Sequence, residues 1–280
     1  MKVILVFGAA LLGAALRLPA QTEQPPRAKE LWNSEFSKLR PPRPEAAGTV
    51  VRSEVQSAEA MVGITVWRLR PAAPADAPGI KLLVHEPERS REYTPERVDA
   101  GTPLAEGARV RLGIESARAG YLYVISCERY ADGSRGDPYL IFPTERILGG
   151  DNRVRPGLVI GLPAWDDHPP YLTLRHSRPD HVAEVLLLLV TPNPLPELRP
   201  ERNAVRLDPQ RVLEWERRWG ASADSLNGSQ NLGTAITAVE HEASTGTHAL
   251  HPDDPLPQTL YRIKARPGAP YLIVTELKVR

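Results

Sequence analysis

The chain has 280 residues, with 35 Lys plus Arg against 34 Asp plus Glu, and its 41% hydrophobic and 25% charged content is that of a globular protein, not a disordered one. Proline is in excess, at 29 residues against a usual share of roughly 5%; this excludes a mainly helical fold, because each proline lacks an N–H and clashes with the preceding turn. The lone cysteine, Cys127, excludes an intramolecular disulfide framework and a zinc site of several thiolates, and the near-zero net charge gives no bulk electrostatic basis for binding nucleic acid.

Residues 1–20 have the order of a secretory signal peptide: Met1-Lys2, an uncharged and mostly apolar run from Val3 to Leu16, then Arg17-Leu18-Pro19-Ala20 before polar sequence. The apolar run is too short to span a bilayer. Cleavage would remove Lys2 and Arg17 and no acid, leaving 33 basic and 34 acidic side chains. A secreted or periplasmic protein without a membrane span is expected. Residues 21–60 are polar and carry Pro25-Pro26 and Pro41-Pro42-Arg43-Pro44, the composition of an extended spacer. A short helix is predicted inside it at Ala28 to Leu39, with Leu31, Phe36 and Leu39 as a weak apolar face.

From Met61 onward the pattern is β. Val62 to Arg70 is rich in β-branched and aromatic residues; Val110, Leu112 and Ile114 alternate with Arg109, Arg111 and Glu115, predicting a strand with one wet face. Tyr121 to Cys127 is apolar on both faces and predicts a covered central strand, joined through the Ala131 to Asp137 loop to Tyr139 to Phe142 as a hairpin. Gly157 to Leu162, Tyr171 to Leu174 and Val182 to Val190 follow, each bounded by Pro or Gly. Asp208 and Pro209 read as the N-cap and first residue of an amphipathic helix that presents Val212, Trp215 and Trp219 before Gly220, and a second short helix is predicted over Thr234 to Glu242. Tyr261 and Ile263, then Pro267-Gly268 and Tyr271 to Val274, predict a closing hairpin. The expected architecture is mainly β: an antiparallel β-sandwich over 61–280, with one or two short helices inserted near 208–243 before the last hairpin.

No motif supplies a catalytic or cofactor site. His241-Glu242 lacks the second histidine of a zinc-protease helix, because Thr245 stands four residues on; His241, His248 and His251, beside Asp253 and Asp254, read as solvated loop histidines, as does His168. There is no Gly-x-Ser-x-Gly elbow, no phosphate-binding loop and no dinucleotide fingerprint, and Cys127 inside an apolar strand reads as a small core residue. No catalytic residue, cofactor or metal is assigned. Glycines explain the 131–137 loop as a turn, and Tyr130, Asp132, Arg135 and Asp137 in it are the candidate partner-binding residues, because rigid sheets present their loops.

Gly120-Tyr-Leu-Tyr-Val124, Tyr130-Ala-Asp-Gly133 and Gly136-Asp-Pro-Tyr-Leu-Ile-Phe-Pro143 resemble the bacterial domain-of-unknown-function family 4384, with support from Val62 to Leu69 and Gly107 to Leu112. The resemblance spans roughly Met61 to Pro192. It implies an exported domain or one found beside kinase or caspase-like modules, and it carries over no catalytic residue. The expected function is a non-catalytic binding or structural module of the bacterial cell envelope, with another envelope protein or a glycan as partner. A secreted hydrolase built from distant carboxylates or histidines is the alternative. The sequence leaves the oligomeric state open.

Overall fold

The computed structural model describes residues 26–43, 60–85, 89–98, 101–227 and 231–280. The expected signal segment and about half of the expected spacer lie outside them. The described chain is mainly β, with two antiparallel sheets and three helices. In chain order the elements are α1 (Pro26–Lys38), β1 (Ala60–Pro71), β2 (Leu82–His85), β3 (Ser90–Arg97), β4 (Arg109–Ser116), β5 (Gly120–Tyr130), β6 (Tyr139–Phe142), β7 (Arg153–Val154), β8 (Val159–Leu162) and β9 (Leu172–Thr173). They continue as β10 (His181–Thr191), β11 (Val205–Arg206), α2 (Pro209–Trp219), β12 (Ala223–Asn227), α3 (Ala238–Ser244), β13 (Thr259–Ile263) and β14 (Tyr271–Lys278).

One sheet runs β12-β13-β1-β3-β2, with β4 on the other side of β1 and carrying β8 and β9; the second runs β11-β6-β5-β10-β14, with β7 on β5. Val62, Ile64, Val66, Leu112 and Ile114 of the first sheet pack against Leu122, Val124, Leu186, Leu188 and Ile273 of the second, forming the sandwich core. The opposite face of β5 and β10 carries Tyr123, Ile125, Val185, Leu187 and Leu189, which α2 covers with Val212 and Trp215. Both faces of this strand pair are therefore buried, as the continuous apolar runs predict.

The last two strands are not the hairpin expected from the Pro267-Gly268 turn. β13 pairs with β1 and β12 in one sheet, whereas β14 pairs with β10 in the other. Tyr271, Leu272 and Ile273 are each at most 2% exposed, and this apolar run is covered beside β10. β2 and β3 had no expected counterpart. The second helix is shorter than 234–242: Thr237 and Glu240 form a reciprocal capping box that starts it at Ala238.

Two further expectations change. β4 has no wet face, since Arg111 and Glu115 are 1% and 2% exposed. Arg111 lies over the Trp165 ring, 3.8 Å from its centroid, and donates to the carbonyls of Pro163 and Pro170; burial pushes its pKa down. The segment 26–43 is not a free spacer. Phe36 is 1% exposed beside Met61 and Leu260, and Arg40 is buried against Glu115. Alternation of charged and apolar residues has the same period whether the charged face meets water or buried partners, so the pattern alone does not separate the two. Among the described residues no helix is long and apolar enough to cross a membrane.

Candidate functional site

β5 and β10 pair antiparallel along nearly their whole length, and towards one end the inward-facing apolar positions give way to polar ones. Leu188 opposes Val124, Leu186 opposes Ser126, and Glu184 then stands directly opposite Glu128. Two carboxylates at opposed positions repel unless something neutralises them. A β-bulge interrupts the ladder between His181 and Ala183, and such bulges re-aim side chains. Here His181 Nε2 lies 3.7 Å from Glu184 Oε1.

The polar groups are held from several elements. His181 is 1% exposed, with Nδ1 3.0 Å from the Arg175 carbonyl and Nε2 3.0 Å from the Ala183 carbonyl. Glu128 Oε2 accepts from the Tyr130 hydroxyl at 2.7 Å and from the Ser177 hydroxyl; Glu184 Oε2 accepts from the Ser126 hydroxyl at 3.2 Å. Arg178 lies over the Tyr130 ring, 3.9 Å from its centroid, and pairs with Asp180 at 2.8 Å. Burial pushes the Glu184 carboxyl up and the charge of Glu128 adds to the rise, opposed by His181 and Ser126. The hydrogen bond to Glu128 raises the Tyr130 hydroxyl. Glu128, Tyr130, Ser177, Arg178 and Glu184 border an open cleft of about 530 Å³, whose lining also includes Ser126 and Tyr139. Tyr139, 42% exposed, offers an aromatic face there.

The four loop residues expected to bind a partner are divided by the fold. Tyr130 and Asp137 line the cleft, whereas Asp132 and Arg135 do not. Tyr130 is not an exposed loop residue: it ends β5 and is 8% exposed, because Arg178 covers its ring. Asp132 is exposed and closes a local turn by accepting from the Ser134 amide at 2.8 Å and its hydroxyl at 2.6 Å, bonds that hold its carboxyl below the usual range. Arg135 is paired with Glu216 of α2 at 2.6 Å, and Asp137 with Arg206 of β11 at 2.8 Å.

The histidine stretch also differs from expectation. His251 is buried and its Nδ1 sits 2.8 Å from the Pro41 carbonyl, while Asp253 and Asp254 both pair with Arg43. His241 packs edge-on to Trp165, 4.2 Å between ring centroids, and burial lowers its pKa. Sequence reasoning missed Glu128, Ser177, His181 and Glu184. The available signal was His181 and Glu184 three residues apart at the start of an apolar strand, but their meeting with Glu128 depends on β10–β5 register and a bulge.

Among the described residues, Glu128, His181 and Glu184 form a three-residue group whose ligand atoms all lie within 4.8 Å of one another. Together, fold and site define a mainly β sandwich with a polar, net acidic cleft at one end of its second sheet. No family model matches the chain, and no curated protein or solved structure matches it at a significant level.

Proposed function

We propose that the protein is an exported, non-catalytic binding or structural module of the bacterial cell envelope, and that the cleft at the end of β5 and β10 receives its partner. The signal-like segment 1–20 and the resemblance to family 4384 support the envelope assignment. The observation that carries the binding role is the convergence of Glu128, Tyr130, Ser177, Arg178 and Glu184 on one rigid strand pair, beside the exposed ring of Tyr139. Polar groups fixed by a buried scaffold around an open concavity bind with little ordering cost. The partner is another envelope protein or a glycan.

Cell fractionation followed by retention assays tests this proposal. The purified chain is applied separately to isolated cell-wall glycan and to solubilised envelope proteins. The expected result is an extracytoplasmic chain retained on one of the two, with retention reduced at least about tenfold by Tyr139→Ala combined with Arg178→Ala and unchanged by Asp132→Ala. A cytoplasmic location, or equal retention of the cleft variant, rejects it.

A secreted hydrolase is the second reading, and the close Glu128–Glu184 pair is what favours it. Two carboxyl groups roughly 5 Å apart are the spacing of retaining glycosidases, with the group of raised pKa as the acid; burial raises Glu184. Turnover of aryl glycosides that disappears in Glu184→Gln would establish this reading and displace the binding module.

A further inference from the structure

We propose that Glu128, His181 and Glu184, together with the main-chain carbonyl of Ala183, form a site for a divalent transition-metal ion of the zinc type. Glu128 and Glu184 line the proposed binding cleft and His181 is buried beside it, and the site stands independently of any envelope role. Three separate observations support it.

The first is the position of His181. Its ring is held between two main-chain carbonyls, with Nδ1 3.0 Å from Arg175 O and Nε2 3.0 Å from Ala183 O, and Nε2 lies 3.7 Å from Glu184 Oε1. Metal-binding histidines are oriented in this way, by donating the far ring N–H to a main-chain carbonyl or carboxylate. The Ala183 carbonyl oxygen and the Glu184 carboxylate are both acceptors, so either a proton on Nε2 or a metal cation joins them to the ring. An ion entering here displaces any proton on Nε2, and that proton leaves to solvent.

The second is distance. Around an ion with ligands at about 2.1 Å, adjacent ligand atoms stand about 3.0 Å apart at a right angle and about 3.4 Å apart at the tetrahedral angle. The separations from Nε2 to Ala183 O and Glu184 Oε1 are 3.0 and 3.7 Å. Glu128 offers its carboxylate from the opposed strand position, within 4.8 Å of the others, so a small side-chain rotation brings it onto the same ion.

The third is charge. Glu128 and Glu184 are directly opposed like charges, an arrangement that costs stability without a cation between them. Arg178, which lines the same cleft, is held by Asp180 and the Tyr130 ring. His176 and Tyr130 approach His181 edge-on, at 5.6 and 6.4 Å between ring centroids. One imidazole with two carboxylates and a carbonyl suits zinc, cobalt or nickel better than magnesium or calcium.

The test uses the full chain freed of metal with a chelator, then titrated with Zn²⁺ and Co²⁺. One ion per chain is expected, with visible Co²⁺ bands that reveal a nitrogen ligand and a shift of the His181 ring resonances on Zn²⁺ addition. Glu128→Gln and Glu184→Gln should each weaken binding by about tenfold or more at unchanged circular dichroism, and His248→Ala should leave it intact. Equal affinity in wild type and both glutamine variants would mean adventitious binding elsewhere and overturn the proposal. So would absence of binding at millimolar Zn²⁺, or a His181 ring that holds two protons and does not respond to the ion. Retention on envelope material is read separately, so failure of one proposal leaves the other standing.

Discussion

Arg40, two residues beyond α1, and Glu115, in the middle of the first sheet, form a two-pronged ion pair 75 residues apart in sequence, with bonds of 2.7 and 2.8 Å and side chains 1% and 2% exposed. The remaining guanidinium N–H groups donate to the carbonyls of His251, Asp254 and Pro255, and Glu115 also accepts from the Gly157 amide. Burial pushes the Glu115 carboxyl up, opposed by Arg40 and Gly157. One side chain thus ties the N-terminal segment, β4 and the 251–255 loop together.

Arg40→Ala would leave a buried carboxylate and three carbonyls without their donor. A cost of about 3–5 kcal/mol is expected, a large share of the stability of a typical domain. Urea unfolding followed by tryptophan fluorescence measures it, and Arg40→Met combined with Glu115→Gln should recover part of the loss, because no unpaired charge then stays buried. A loss below about 1 kcal/mol would mean that 26–43 does not hold the sandwich.

Asp76 predicts acid sensitivity. Its carboxylate accepts from both Nη atoms of Arg70 at 2.8 Å, from the Ala73 amide at 2.6 Å and from the Thr94 hydroxyl at 2.8 Å. The Arg70 guanidinium, foremost among these, holds the carboxyl well below its usual range. A carboxyl lowered in the folded state contributes stability above its unfolded pKa of about 3.9, and that contribution is lost as pH falls through the folded value. The urea midpoint of wild type should therefore fall below about pH 4, and Asp76→Asn should show a flatter slope from a lower starting point at pH 6. Parallel pH profiles for the two proteins would reject the assignment.

Cys127 should be inert while the protein is folded. Its side chain is 5% exposed and burial pushes the thiol up to about 11, so the thiolate fraction at pH 8 is very small. Reaction with a disulfide reagent at pH 8 should be slow in buffer and complete within minutes in guanidinium chloride. Rapid stoichiometric labelling of the native chain would show that the β5–β10 end opens.

The β5–β6 hairpin and α2 were legible because local rules decide them: a continuous apolar run must be covered on both faces, and Asp208-Pro209 with Gly220 brackets a helix. Cys127 was legible for the same reason. The partner of β14 was not, because a Pro-Gly turn fits a crossing between sheets as well as a hairpin. The Glu128–His181–Glu184 group was invisible because it combines a strand register with a bulge, and neither leaves a mark in one segment. Arg40 escaped notice because a single arginine after a proline-flanked helix looks solvated until Glu115 is placed beneath it.

α2 supplies the last prediction, a ranking. Its N-cap is a single bond, Asp208 Oδ1 to the Gln210 amide at 2.9 Å, on the exposed side of the helix. Its packing face is Val212 and Trp215, 4% and 6% exposed, against Tyr123, Ile125, Leu187 and Leu189, with Trp219 stacked on Trp215 at 6.2 Å between ring centroids. Losing an N-cap costs about 1 kcal/mol, whereas removing a buried tryptophan costs about 3–5 kcal/mol through lost burial and the cavity left behind. Gly220 closes the helix so tightly that a Cβ there would lie 2.2 Å from the Glu216 carbonyl oxygen, a contact that backbone must move to relieve. Trp215→Ala should therefore be the most destabilising of the three, Gly220→Ala intermediate and Asp208→Ala the mildest, in urea unfolding at neutral pH. If Asp208→Ala equalled Trp215→Ala, local helix formation would hold α2 on the sheet in place of the core beneath it.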